Sequence, residues 1–393
     1  MTQEVFLCSG KRTPFGDFGK SLKDLEGTDL SIHAARACLE VNAVDAAKVD
    51  HLVCGNVIPV GQGGLFSSRV IALGTGMRED SRALNVSRAC GSGTQAIVSA
   101  AEQIISGHSK IALAGGYENA SRVPYILTGS RWGMKRGAGA VIDMIDYAYR
   151  DPFDLSLMGE TAENLTKDFG YIREEMDDYA LTSQQRAGAA IRSGFLARQI
   201  APIEVPEKRG SRLFETDEFP RPTVTPEKLA GLKPAFREGG QVTAGNSSGL
   251  TDGAAFLLVC DAESAKVENL APRARLVDWE IVGVPPRIMG CGPVPAIDRL
   301  LKRRGMEVDD IDYFEINEAF AVVNLHAEKM LGVPRDRTNL YGGGISIGHP
   351  PGATGVRMTL TAFDHLDDTG GRYAIISMCL GAGQGMAVLI ERV

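Results

Sequence analysis

Residues 87–96 read SRACGSGTQA. Cys90 stands here between a strand-like run, ALNVS, and a helix-period run, TQAIVSAAEQII, with Gly91 and Gly93 at the junction. Strand, glycine turn and helix in that order predict an α/β unit, and the glycines allow a tight turn and the close approach of a ligand. The free amides at the start of a helix, with the positive end of its dipole, stabilise a thiolate and lower a cysteine pKa from its reference of ~8.5. The same amides can hold an oxyanion. A small buried thiol is the other reading of the stretch, and the commoner fate of a free cysteine. The turn alone does not choose between them.

Working outward, the pattern around Cys90 recurs. KVDHLVCGNVIP, an Asp-led turn and short apolar strand, is answered by DIDYFEINEAFA near the other end of the chain. The glycine-rich stretch at Cys90 is answered by LYGGGISIGHPPGATG, and KIALAGGYENA by YAIISMCLGAGQG. Both halves therefore run strand, helix, strand, glycine-rich turn, helix, strand, which predicts two similar α/β units packed against each other. Between them, residues 121–249 change texture: they hold Trp132, an amphipathic helix candidate from Glu174 to Ser193, and the Pro, Thr and charge-rich FETDEFPRPTVTPEKL. So long a stretch with its own helices reads as an inserted domain or cover, not a linker. Its net charge is −1, from 17 Lys plus Arg and 18 Asp plus Glu, against −6 for the rest, which leaves room for an anionic ligand near the cover.

Composition narrows the function classes. At 393 residues the chain holds two or three domain-sized units, and at 44% hydrophobic and 23% charged it is globular, with no apolar run approaching the ~20 residues of a membrane span. A net charge of −7 argues against nucleic acid or an anionic membrane as the main partner. The opening MTQEVFLCSGKRTPFG reads as a strand and turn instead of a targeting signal, so a cytoplasmic location is expected. Seven scattered cysteines, never spaced CxxC, suit reduced thiols and disfavour both a disulfide framework and a metal site. GGGIS is followed by no Gly-Lys-Ser/Thr and is not a phosphate loop.

Two further residues change the weight of Cys90. His349, in SIGHPPGATG, is the one histidine of six set between glycine and proline turn residues, and imidazole titrates in the range needed to take a thiol proton. Cys379 ends an apolar strand at a glycine-rich turn, in SMCLGAGQG. Each alone has a plain structural reading, as a cap or a core thiol. Three such residues at equivalent turns of a repeated unit point to nucleophilic catalysis. His33, His51, His108, His326 and His365 read as surface or packing residues.

The ordered motifs RTPFGDFGKSL, NVSRACGSGTQAI, MGETAENL, VTAGNSSGLTDGAA, INEAFA, GGGISIGHPPGATG and CLGAGQGMAVLIERV resemble the thiolases, over the whole chain. The resemblance implies an α/β thiolase fold: two duplicated βαβαβαββ halves with a five-stranded sheet each, stacked in five αβαβα layers. It implies halves at 1–120 with 250–270 and at 271–393, a loop domain at 121–249 that covers the site and binds coenzyme A, and a homodimer or homotetramer. It also implies reversible Claisen condensation of acetyl-CoA with an acyl-CoA and thiolytic cleavage of 3-oxoacyl-CoA, with coenzyme A as substrate and product and no permanently bound cofactor. Carried over, Cys90 is the acylated nucleophile, His349 its base and Cys379 the second acid/base. Asn317 holds a water that, with His349, stabilises the enolate oxygen, and the amides of Cys90 and Gly381 form the other oxyanion hole. Ser248 and Arg221 match coenzyme A contacts, and Met158 and Phe320 match the acyl end.

The chain departs from that pattern at Leu157, where enzymes dedicated to acetoacetyl-CoA usually carry His, at Pro351, usually Leu or Ile, and at Leu380 and Ala382, commonly Ile and Gly. Loss of an imidazole near the acyl pocket predicts a relaxed chain-length preference. A ketosynthase, which pairs its cysteine with two histidines, fits less well, and a non-catalytic acyl-CoA or lipid-binding relative is the alternative function. A regulatory disulfide between Cys90 and Cys379 is a further expectation.

Overall fold

The computed structural model describes residues 3–61 and 63–393. The first half supplies β1 (Val5–Arg12), α1 (Gly27–Val41), β2 (His51–Gly55), α2 (Ser67–Thr75), β3 (Arg82–Val86), α3 (Ser92–Ile105) and β4 (Ile111–Glu118). The intervening segment supplies β5 (Tyr125–Leu127), β6 (Val141–Asp143), α4 (Met144–Ala148), α5 (Met158–Phe169) and α6 (Arg173–Arg192). Then follow β7 (Thr251–Asp261), β8 (Pro272–Gly283), α7 (Pro293–Arg304), β9 (Tyr313–Ile316), α8 (Ala321–Leu331), the one-turn α9 (Gly344–Ile347), α10 (Pro351–Thr369), β10 (Tyr373–Leu380) and β11 (Gln384–Arg392).

The strands lie in the order β9-β10-β11-β8-β1-β7-β4-β2-β3. In the first half β2 runs parallel to β3 and β4, and β7 runs antiparallel to β4 and β1. The second half repeats the plan: β9 is parallel to β10, and β11 is antiparallel to β10 and β8. An antiparallel pairing of β1 with β8 joins the halves. The five strands expected in each half are found in the first. In the second, the fifth shrinks to one parallel bridge, Phe314 to Thr338, because the chain turns into the Gly342–Gly344 stretch at once.

Helices sort by how much of their surface is apolar. α1 and α2 cover the outer face of the first-half strands, and α7 and α8 the outer face of the second. α3 and α10 lie between, touching each other and strands of the first half, with α10 reaching strands of both, which makes five layers. α10 is buried on every side from Pro351 to Leu366, as a central helix must be. Glycine lets these two helices meet: a Cβ on Gly93 would run into the Gly352 carbonyl, and one on Gly355 into the Thr94 hydroxyl. The first turn of α3, two residues after Cys90, thus abuts the first turn of α10, two residues after His349.

The helix expected from Glu174 to Ser193 is α6. The segment at 121–249 does not close a core of its own: Ala162, Leu165, Met176 and Tyr179 of α5 and α6 join one buried cluster with Leu300, Phe314 and Val322 of the second half. Its end is stitched to the same half, with Ser248 N donating to Ala319 O (2.9 Å) and Ala321 N to Asn246 O (2.9 Å).

Candidate active site

Where the two central helices meet and the intervening segment folds over, a cavity of about 390 Å³ opens. Cys90, His349, Gly381, Met158, Phe320 and Ser248 all line it. Val57 and Ile58 make one wall, Tyr149 and Leu157 a second, and Phe236 and Met289 a third, so the lining is mostly apolar.

Cys90 is presented by a strained turn. Ala89 has φ +45, a conformation that L-residues avoid. The N–H groups of Gly381 and of Cys90 itself point at the thiol. Their pull is outweighed: burial pushes the thiol up to about 11. The lowered pKa expected from the helix terminus is therefore corrected, and in the empty cavity Cys90 rests as a thiol.

His349 is buried, and its hydrogen bonds assign the tautomer. The Thr354 hydroxyl donates to Pro350 O (3.0 Å), so its oxygen accepts from His349 Nδ1–H at 2.7 Å. Nε2 is left with its lone pair, facing Asn317 Nδ2 at 3.3 Å. Burial, then the nearby Arg357 charge, push this imidazole down to about 3, so it too rests neutral. A neutral thiol and a neutral imidazole hold the proton on sulfur until substrate arrives.

Asn317 directly follows β9 and faces His349, while its Oδ1 is buried without a protein partner, an acceptor free for a water. Cys379 is fully buried and does not line the cavity. Burial first, with Cys90 the next contributor, pushes its pKa well above the ordinary thiol value. Arg221 lies outside the cavity walls: its guanidinium bonds Asp17 (2.8 Å) and the carbonyl of Glu218 (3.0 Å). The set-aside histidines behave as packing groups where they have partners, His326 with the Tyr171 hydroxyl (3.0 Å) and His365 with that of Tyr341 (3.1 Å). Sequence reasoning missed Thr354, Tyr149, Phe236 and Met289. Only Thr354, in the same motif as His349, carried a local signal.

A central five-layer α/β fold with a cysteine and a histidine delivered by opposite halves defines an acyl-transfer enzyme. Residues 5–263 match the thiolase N-terminal domain and residues 270–392 the thiolase C-terminal domain. The chain belongs to the thiolase family. The beta-ketothiolase BktB of Cupriavidus necator is 43% identical over 394 residues, all of both chains, and the mitochondrial 3-ketoacyl-CoA thiolase of Homo sapiens is 41% identical over 388 residues, 98% of each. The crystal structure of the human mitochondrial enzyme in complex with CoA superposes with a TM-score of 0.97 at 40% identity, over 100% of this chain and 98% of that one. The protein is a thiolase and an acyltransferase.

Proposed function

We propose that this thiolase cleaves 3-oxoacyl-CoA with free coenzyme A, and in reverse condenses acetyl-CoA with an acyl-CoA, through an acyl-Cys90 intermediate. One observation carries the reading: the Cys90 thiol, with the Gly381 N–H aimed at it, shares a cavity with a histidine whose Nε2 is unprotonated and meets the Asn317 amide. His349 takes the thiol proton as Cys90 attacks the C3 carbonyl, and the amides of Cys90 and Gly381 hold the oxyanion. The C2–C3 bond breaks, and the enolate of acetyl-CoA is stabilised beside Asn317 and His349. Cys379 protonates its carbon. The Cys379 thiolate then takes the thiol proton of incoming coenzyme A, which attacks the acyl group and releases Cys90, whose proton returns from His349.

The neutral resting pair supports a thiolate made only in the encounter with substrate, which protects it from other electrophiles. Met158 and Phe320 would line the acyl end, and Ser248 the pantetheine path under a cover made by 121–249. For Arg221 the proposal requires its guanidinium to leave Asp17 for the coenzyme phosphates. Leu157, in place of an imidazole, favours acyl chains longer than four carbons. Thiolysis of 3-oxoacyl-CoAs of rising length, with intact-mass detection of acylated protein, tests the reading: no turnover and no adduct on the wild type would end it.

The sheet supports a homodimer or homotetramer. Among the described residues β3 has no partner on its outer edge, and Leu84 on it, with Leu65, Phe66 and Leu73 beside it, is exposed. The β5–β6 hairpin, with Tyr125, Trp132 and Val141 exposed, offers a second contact. Among the described residues no helix is long and apolar enough to cross a membrane. Seven unpaired cysteines fit the reducing cytoplasm.

A further inference from the structure

Glu118, the last residue of β4, is 1% exposed and has no part in the steps above. Its carboxylate accepts hydrogen bonds from Asn56 Nδ2 (3.0 Å), Val57 N (3.1 Å), Ile58 N (2.8 Å) and Gly352 N (3.3 Å). The first three donors belong to the loop after β2, whose Val57 and Ile58 wall the cavity. The fourth lies in the first turn of α10, three residues after His349. One carboxylate so ties the cavity wall of the first half to the helix of the second half that follows the base.

The fold does not demand a carboxylate there. β4 and β10 are eight-residue strands at matching places in the two halves, and the eighth residue of β10 is Leu380. An apolar side chain ends the one strand and a buried acid the other.

We propose that Glu118 is a positioning residue for acyl transfer: its ionised carboxylate sets the distance between the Val57–Ile58 wall and the His349 end of α10. This rests on the acyl-transfer reading above. Holding the charge there is costly, since burial pushes the carboxyl up to about 7 against the pull of its four donors. A carboxyl raised in the folded state binds its proton more tightly than in the unfolded chain, so stability falls as pH rises from about 4.5 to about 7 and stays lower above. The titratable groups around it are Cys54 on β2, Cys90 at the start of α3, Tyr117 on its own strand and Tyr149 in the opposite wall, all pushed up by burial and neutral at pH 7. On β7, Asp252 beside the paired Gly253 is raised to about 6 and is bound to Ser121. α10 presents only the Gly352 amide, and His349 before it is neutral at this pH.

The test compares wild type, Glu118→Gln and Glu118→Asp in thiolysis of a medium-chain 3-oxoacyl-CoA from pH 6 to 9, with thermal melts at pH 8. Glu118→Gln is expected to lower kcat by about tenfold or more, leave the KM for coenzyme A within about twofold, and melt no lower than wild type. Glu118→Asp, which restores the charge on a shorter stem, recovers part of the loss. Wild-type kcat is expected to fall below about pH 7 as the carboxylate protonates, and the Gln variant to lack that limb. A Gln variant with kcat within about twofold and an unchanged pH profile overturns the proposal, as does a loss that only tracks a lowered melting point. Should Glu118→Gln not fold, a wild-type profile flat between pH 6 and 8 overturns it. A wild type that turns over no substrate removes acyl transfer itself, whereas equal turnover by wild type and variant removes only the positioning role.

Discussion

The two halves follow one plan and bring different groups to one cavity. In the first, β3 passes through Ala89 and Cys90 directly into α3; in the second, a single bridge at Thr338 leads through the longer stretch 342–350 into α10. The short turn places its reactive residue just before the helix, where its own amide and that of Gly381 reach the sulfur. The long turn, having given up the strand before it, carries His349 to the same cavity. Asn56 and Glu318 stand at matching register places just past β2 and β9, yet Asn56 is tied to Glu118 and Glu318 accepts from Tyr179 and Ser183 of α6. Equivalent places in the fold acquire different chemistry from what each side chain meets across the seam.

The largest test of this division removes one thiol from each half. Cys90→Ala is expected to lower turnover by about 10⁴-fold and abolish the acyl adduct in intact-mass spectra. Cys379→Ala should lose about as much turnover, yet a single addition of 3-oxoacyl-CoA should still leave acyl-Cys90 for mass spectrometry to detect. Equal adduct loss in both variants breaks the comparison, because acylation would then need both sulfurs.

The resting protonation states give the next effect. With Cys90 pushed up to about 11 and His349 down to about 3, no thiolate–imidazolium pair forms without substrate. The rate of Cys90 alkylation by iodoacetamide should rise about tenfold per pH unit from 7 to 10, close to 10³-fold in all. A plateau near pH 7 would show a preformed ion pair.

A smaller change is expected in the wall. Leu157→His should shift the ratio of kcat/KM for acetoacetyl-CoA over a six- or eight-carbon substrate by about tenfold toward the short chain. An unchanged ratio assigns chain length to other walls, with Tyr149 and Met289 the next to vary.

The smallest effect sharpens the comparison at backbone level. Each catalytic turn holds a non-glycine residue in the left-handed region, Ala89 before Cys90 and Ala382 (φ +64) after Gly381. Relieving the second with Ala382→Gly should stabilise the protein by about 0.5–1 kcal/mol, read from denaturant unfolding. A destabilised variant would mean that the methyl packs well enough to offset the strain.

The sequence alone determined the features written in short contiguous stretches. Glycine-rich turns beside strand and helix ends marked Cys90, His349 and Cys379, since a backbone needing tight curvature declares itself locally. The repeat of those stretches disclosed the duplicated fold, and their order the family. Only the tertiary structure decided what depends on segments far apart in the chain: the Asn317 amide set against His349 Nε2, the guanidinium of Arg221 held by Asp17, and the Glu118 carboxylate that joins the end of β2 to α10. It also reversed the expected thiol pKa, because helix amides act on a neighbour named in the sequence, whereas desolvation comes from every atom packed around the sulfur.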